Sequence, residues 1–147
     1  MLPLAGIPMC LLVEDSNEDA DTFDEALRQS GISTELHRVC SGDACMALLC
    51  QPGARRPALI VMDLNTQGLD GREALRMIKS DATLMSIPVV ILSTSANPRD
   101  VDFCYTSGAN AYHVKPMRYP DHVRAMIDLL DYWLTRVSLP GNDRQKP

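Results

Sequence analysis

Four short apolar runs in this sequence end in residues whose types could handle a phosphoryl group and a divalent cation. Met9-Cys10-Leu11-Leu12-Val13 stops at Glu14-Asp15, and Ala58-Leu59-Ile60-Val61-Met62 stops at Asp63. Pro88 to Leu92 runs into Ser93-Thr94-Ser95, and Ala111 to Val114 is followed by Lys115-Pro116. Three carboxylates at one rim repel one another and need a cation, which a small oxygen-seeking ion such as Mg2+ supplies best. A hydroxyl and an ammonium facing them could bind the remaining oxygens of a transferred phosphoryl group. Each residue alone has an ordinary structural use. A lone Asp after a strand is usually a cap or turn residue, Ser and Thr often bond the backbone, and a lysine before proline can be an exposed loop residue. Their placement at successive strand ends is what coincidence explains poorly.

For those ends to meet, the runs must be neighbouring strands. Apolar residues without alternation, as in Ala58 to Met62, suit a parallel strand covered on both faces. Helical patterns lie between the runs. Ser16-Asn17 offers caps for a helix with Phe23, Ala26 and Leu27 on one face, which Gly31 terminates. Thr34 to Val39 alternates like an edge strand. A second helix starts near Ser41, with Ala44, Leu48 and Leu49 inward, and stops at Pro52-Gly53. Asp70-Gly71 opens a third with Ala74, Leu75 and Ile78 on one side, Pro98 to Ser107 is a short fourth, and the last runs from Pro120 to Val137. Five βα units in series predict an α/β fold, a doubly wound parallel sheet with right-handed crossovers. In such a sheet, function collects at the carboxyl ends of the strands.

The 147 residues are 46% hydrophobic and 22% charged, which fits one globular domain. The expected division is a leader over 1–8, a domain over 9–138 and a tail over 139–147. A net charge of -5 argues against a general nucleic-acid or membrane-surface binder. No apolar run approaches the ~20 residues needed to span a bilayer. The segment Met1 to Met9 has two prolines and no basic leader, so a signal peptide is not expected. Five cysteines without a CxxC pair read as reduced thiols acting as small hydrophobes, which predicts a cytoplasmic protein. A DNA-binding output domain needs roughly 50 residues or more beyond the last helix. The short stretch after Val137 offers none, so direct DNA binding is not expected.

Taken together, the motifs resemble the receiver domain of bacterial response regulators. They are Leu12-Val13-Glu14-Asp15, Val61-Met62-Asp63-Leu64-Asn65, Ile91-Leu92-Ser93-Thr94 and Val114-Lys115-Pro116. The intervals from Asp63 to Ser93 and from Asp63 to Lys115 are those of short single-domain receivers. The likeness covers Met9 to Leu134. It implies a flavodoxin-like five-stranded parallel sheet in the order 2-1-3-4-5. It further implies that Asp63 is the phosphoacceptor, taking a phosphoryl group from a sensor histidine kinase. Asp15 would ligate Mg2+ directly, Glu14 mainly through water, and Asn65 through its backbone carbonyl. Lys115 would pair with a phosphoryl oxygen, and its bond to Pro116 would be cis. Ser93 and Tyr112 resemble the coupled switch pair, and Asn65 and Ser95 the positions that tune autodephosphorylation. On this likeness the protein is a signalling domain and not an enzyme acting on outside substrates. Thr66-Gln67 departs from the Met-Pro type of pair common after Asn65, and Ser93 replaces the commoner Thr.

In the last helix, Val123, Met126, Ile127, Leu130, Trp133, Leu134 and Val137 follow helical spacing and are expected to face the sheet. Leu129 and Tyr132 add apolar surface outside that stripe. A thick core-facing helix and a dimer surface both fit. The ending Tyr132 to Pro140 resembles that of regulators partnering phytochrome histidine kinases. It implies a homodimer through the last strand, last helix and tail, and a bacteriophytochrome-type kinase. A Mg2+-dependent phosphatase of the haloacid-dehalogenase type is the rival reading. It expects a catalytic Asp two residues after the nucleophile, where this chain has Asn65. A flavin-binding flavodoxin would need a phosphate-binding first loop, and Glu14 to Asp19 would repel phosphate.

Overall fold

The computed structural model describes residues 6–65 and 70–141. Its strands are β1 (Met9–Val13), β2 (Glu35–Val39), β3 (Leu59–Asp63), β4 (Val89–Ser93) and β5 (Ala111–Val114). Its α-helices are α1 (Asn17–Ser30), α2 (Gly42–Leu49), α3 (Gly71–Ser80), α4 (Pro98–Thr106) and α5 (Tyr119–Asp131). The strands form one parallel sheet in the order β2-β1-β3-β4-β5, the expected topology.

The sheet has a separate core on each face, which explains the unbroken apolar runs. Successive strand side chains point to opposite faces, so a strand covered on both sides must be apolar throughout. Leu11, Val13, Ile60 and Met62 pack with Leu75 and Ile78 of α3, while Cys10, Leu12, Leu59 and Val61 pack with Phe23 of α1 and Met126 of α5. All residues of β1, β3 and β4 are buried, whereas the edge strands β2 and β5 are partly exposed. Packing on both faces fixes the strands whose carboxyl ends form the rim.

Side-chain caps set where the helices begin. Ser16 accepts the Asp19 N–H, Ser41 the Ala44 N–H, Asp70 the Glu73 N–H and Asn97 the Arg99 N–H. Gly31 closes α1 in the left-handed conformation at φ 71°, where a residue without Cβ is least strained.

The last helix departs from expectation. Its α-helical part ends at Asp131, and Tyr132–Arg136 forms a π-helical turn in which the Val137 N–H reaches the Tyr132 carbonyl. The wider turn changes the phase of the side chains that follow. Leu129, placed by sequence outside the apolar stripe, is buried in the core with Leu130, and Tyr132 is exposed. Trp133 is half-buried and meets the Tyr132 ring edge-on at 5.6 Å. Thr135 and Arg136 both bond the Asp131 carboxylate, which ties the turn to the end of α5. Among the described residues no helix is long and apolar enough to cross a membrane.

Candidate functional site

Three strand ends and one helix start converge on the Lys115 ammonium. Asp63 is the last residue of β3, Glu14 follows β1, and Lys115 follows β5; all three are buried. The Lys115 N–H donates to the Ser93 carbonyl at 2.7 Å, so the residue extends the β4–β5 ladder and its side chain enters the rim. Its Nζ lies 3.0 Å from Asp63 Oδ2, 3.1 Å from Glu14 Oε1 and 2.6 Å from Asp19 Oδ2. The Lys115–Pro116 bond is trans, against the cis expectation, since the described residues hold no cis peptide. Trans is the lower-energy form of an X–Pro bond by roughly 0.5–1 kcal/mol, and here it already delivers the ammonium to Asp63.

Asp19 was not anticipated. It ends no strand and sits instead in the first turn of α1. The signal was the cap. Ser16 holds the Asp19 N–H, and helical side chains lean toward the N-terminus, so an acid in that turn projects back to the rim. Carboxylate oxygens of Glu14, Asp19 and Asp63 all lie within 4.8 Å of one another. Asp15 is half-buried on the same loop but outside that trio.

The electrostatics follow from crowding. Burial, then the charge of Asp63 and a hydrogen bond with it, push the Glu14 carboxyl up to about 7 against the opposing pull of Lys115. Burial opposes the charge of Lys115, yet the Asp19 hydrogen bond and the charges of Glu14 and Asp63 hold its pKa above the ordinary lysine value. Three hard oxygen donors share one ammonium and remain short of positive charge. That donor set fits a divalent cation of the Mg2+ class.

Around this centre, the Asn65 N–H donates to Asp63 Oδ1 at 3.0 Å and fixes the carboxylate; the Asn65 side chain is exposed. Thr66 and Gln67 lie outside the described residues. Arg38 of β2 donates to the Glu14 carbonyl and to Asn17 Oδ1, bracing the acidic loop. Gly71 starts α3 against β3: a Cβ there would stand 2.6 Å from the Asp63 carbonyl oxygen and 2.8 Å from Leu64 Cα.

The two switch candidates meet through a third residue. Ser93 is buried, and its Oγ accepts the Ser95 N–H at 3.1 Å. Tyr112 packs against the core from β5, and its hydroxyl donates to the Ser95 carbonyl at 2.8 Å.

The sequence profile of the response regulator receiver domain matches residues 10–128. The chain belongs to this family. The chain is 41% identical over 135 residues to the response regulator Rcp1 of Synechocystis sp., covering 89% of this chain and 92% of Rcp1. The crystal structure of the phosphorylated cyanobacterial phytochrome response regulator RcpA superposes with a TM-score of 0.88 at 38% identity, over 92% of this chain and all of RcpA. The Mn2+-bound form of Rcp1 gives a TM-score of 0.87 at 39% identity, over 91% of this chain and 99% of that one. Receiver domains are signalling modules of two-component systems that partner histidine kinases, and the phosphatase reading is not favoured.

Proposed function

We propose that this receiver takes a phosphoryl group from the phosphohistidine of a sensor histidine kinase onto Asp63 and signals through a protein–protein surface. The observation that carries the reading is the Lys115 ammonium, 3.0 Å from the Asp63 carboxylate in a buried acidic rim. An Asp63 oxygen attacks phosphorus, the P–N bond breaks with its electron pair going to the imidazole, and an acyl phosphate forms. Such a loose transfer needs charge stabilisation and alignment more than covalent help. The Asn65 N–H orients Asp63, Lys115 pairs with a phosphoryl oxygen, and the Ser93 hydroxyl donates to another. Glu14, Asp15, Asp63 and the Asn65 backbone carbonyl would hold Mg2+, which neutralises charge on the phosphoryl oxygens when bound. No general base and no outside substrate are required, so the chain is a phosphoacceptor and not an enzyme in the ordinary sense.

Tyr112 responds to Ser93 as the switch, Asn65 and Ser95 set the phosphoryl lifetime, and the receiver unit spans 9–138 in the cytoplasm. The relatedness to Rcp1 and RcpA, together with the ending Tyr132 to Pro140, supports a phytochrome-type kinase, in bacteria a bacteriophytochrome. A homodimer through β5, α5 and the tail is supported by the free edge of β5, exposed Val114 and Tyr132, and a hollow of about 370 Å3 between Ala111 and Trp133.

The test is incubation with Mg2+ and acetyl phosphate or phosphoramidate, read by intact mass. A labile adduct on the wild type that disappears in Asp63→Asn is expected. Its absence, or an undiminished adduct in the variant, ends the reading, and steady hydrolysis of unrelated monoesters would restore the phosphatase. Light scattering with and without beryllium fluoride tests the dimer; a monomer in both conditions refutes it.

A further inference from the structure

Ser95 makes a separate bond with each of its polar groups. Its N–H donates to Ser93 Oγ, its carbonyl accepts from the Tyr112 hydroxyl, and its own hydroxyl donates to Asp100 Oδ2 at 2.5 Å. The N–H and the carbonyl belong to the two peptide planes flanking one Cα. A rotation at Ser95 therefore disturbs the bonds to Ser93 and Tyr112 together, because the backbone there has only two soft torsions. Whatever holds the Ser95 side chain holds both.

What holds it is a charged chain reaching across two helices. Asp100 lies in the first turn of α4, and its other oxygen, Oδ1, accepts from Arg72 of α3 at 3.2 Å. The Ser95 oxygen also accepts the Asn97 N–H at 3.1 Å, which fixes the hydroxyl from the opposite side. Hydrogen bonds from the Ser95 hydroxyl, then from Arg72, keep the Asp100 carboxyl below its ordinary range, so it is charged wherever the protein is folded near neutrality. Because the Ser93 oxygen already accepts from Ser95, its proton is turned away from that N–H and is left to donate to an incoming phosphoryl oxygen.

We infer that Arg72 and Asp100 are positioning residues for phosphoryl transfer, a latch that acts through Ser95 to aim the Ser93 hydroxyl and hold Tyr112. The inference rests on Asp63 being the phosphoacceptor, with Ser93 and Tyr112 as its switch. The alternative is a helix-to-helix ion pair without influence on the site. The two side chains are 34% and 27% exposed. At that exposure such a pair is worth little in stability alone, so the alternatives are separable by measurements at the switch.

The experiment uses 3-fluorotyrosine-labelled protein, with the Tyr112 resonance assigned from Tyr112→Phe, and acetyl phosphate uptake followed by intact mass. In Asp100→Ala, we expect the Tyr112 19F signal of the unphosphorylated protein to shift or broaden. We also expect uptake to slow roughly three- to tenfold, the effect of losing one charge-assisted hydrogen bond in a part-exposed place. Arg72→Ala should act in the same direction, the double variant should be no worse than Asp100→Ala, and Asp100→Asn, which still accepts from Ser95, should restore most of both signals. An unchanged 19F signal, or a moved signal with unchanged uptake, in an Asp100→Ala protein that still unfolds cooperatively overturns the latch. A wild type that takes no label overturns the phosphoacceptor reading and the latch with it, whereas a labelled wild type with an unmoved Asp100→Ala overturns the latch alone.

Discussion

Removing the Asp63 charge should make this protein more stable, and pH should control by how much. Glu14 is the residue that registers the crowding: its carboxyl lies at about 7 against an ordinary 4.5. Since a tenfold change in an ionisation equilibrium is worth about 1.4 kcal/mol, this corresponds to about 3 kcal/mol against ionised Glu14. Burial is the larger cause and Asp63 the next, so the variant Asp63→Asn should recover roughly 1–2 kcal/mol. Against this stand the attraction to the Lys115 ammonium, which is softened because Glu14 and Asp19 still hold that ammonium, and one hydrogen bond. Asp63 accepts from Lys115 on one oxygen and from the Asn65 N–H on the other, and an amide keeps only one of those acceptors, at a loss of roughly 0.5–1.5 kcal/mol. The expected net gain is about 0.5 kcal/mol, or about 1–2 °C in Tm for a chain of this length.

The sign with pH follows from the direction of the Glu14 shift. With its folded pKa above its unfolded one, native Glu14 keeps a proton that the unfolded chain has lost between 4.5 and about 7. Native protein then binds more protons, so wild-type stability falls as pH rises through that window. Asp63→Asn should flatten the fall, its advantage being present at pH 8 and absent at pH 5. Scanning calorimetry of both proteins at both pH values, without divalent ions, reads this directly. A variant less stable than wild type at pH 8, or equally stabilised at both pH values, would refute the electrostatic account and leave Asp63 as a structural hydrogen-bond acceptor.

Three further outcomes follow from the same geometry. Lys115→Met leaves Glu14, Asp19 and Asp63 without their shared ammonium; it should cost roughly 3–5 kcal/mol at pH 8, less at pH 5, by urea unfolding, and should abolish adduct formation. Gly71→Ala puts a methyl group 2.6 Å from the Asp63 carbonyl oxygen, so urea unfolding should show a loss of roughly 1–3 kcal/mol and phosphoryl uptake should slow as Asp63 shifts. Mg2+ should raise the wild-type Tm more at pH 8 than at pH 5.5, because an ion displaces protons from the crowded carboxyls; a chelator should reverse the rise, and an equal rise at both pH values would count against binding at Glu14.

The sheet was readable because burial on two faces leaves a strand only one compositional solution. β1, β3 and β4 are therefore continuous apolar runs, and each ends where the first polar residue meets the rim. That is why Glu14, Asp63 and Ser93 could be named from position alone. The end of α5 was not readable, since Tyr132 to Arg136 keeps helical spacing in sequence while a π-turn changes the phase in space. Leu129 lies before that turn, three residues after Met126 in the regular part of α5, and its burial continues the helical spacing of His122, Val123 and Met126.

Asp19, and the contacts that Ser95 makes, show why the rest of the site lay beyond a reading of strand ends. Both act from loops or first turns, where a side chain's target depends on a cap: Ser16 for Asp19, and Asn97 with Asp100 for Ser95. Motif spacing identifies the groups that touch the reacting oxygens, whereas the groups that aim them are chosen by local backbone geometry. The division has a functional consequence. Lys115 is held by three carboxylates, so under the proposed function an arriving phosphoryl group would have to take the ammonium from partners already in place. On the proposed function, phosphorylation at Asp63 would be an exchange of ion pairs, in which Asp19, the partner at 2.6 Å that no strand end supplies, would compete with the phosphoryl group for Lys115.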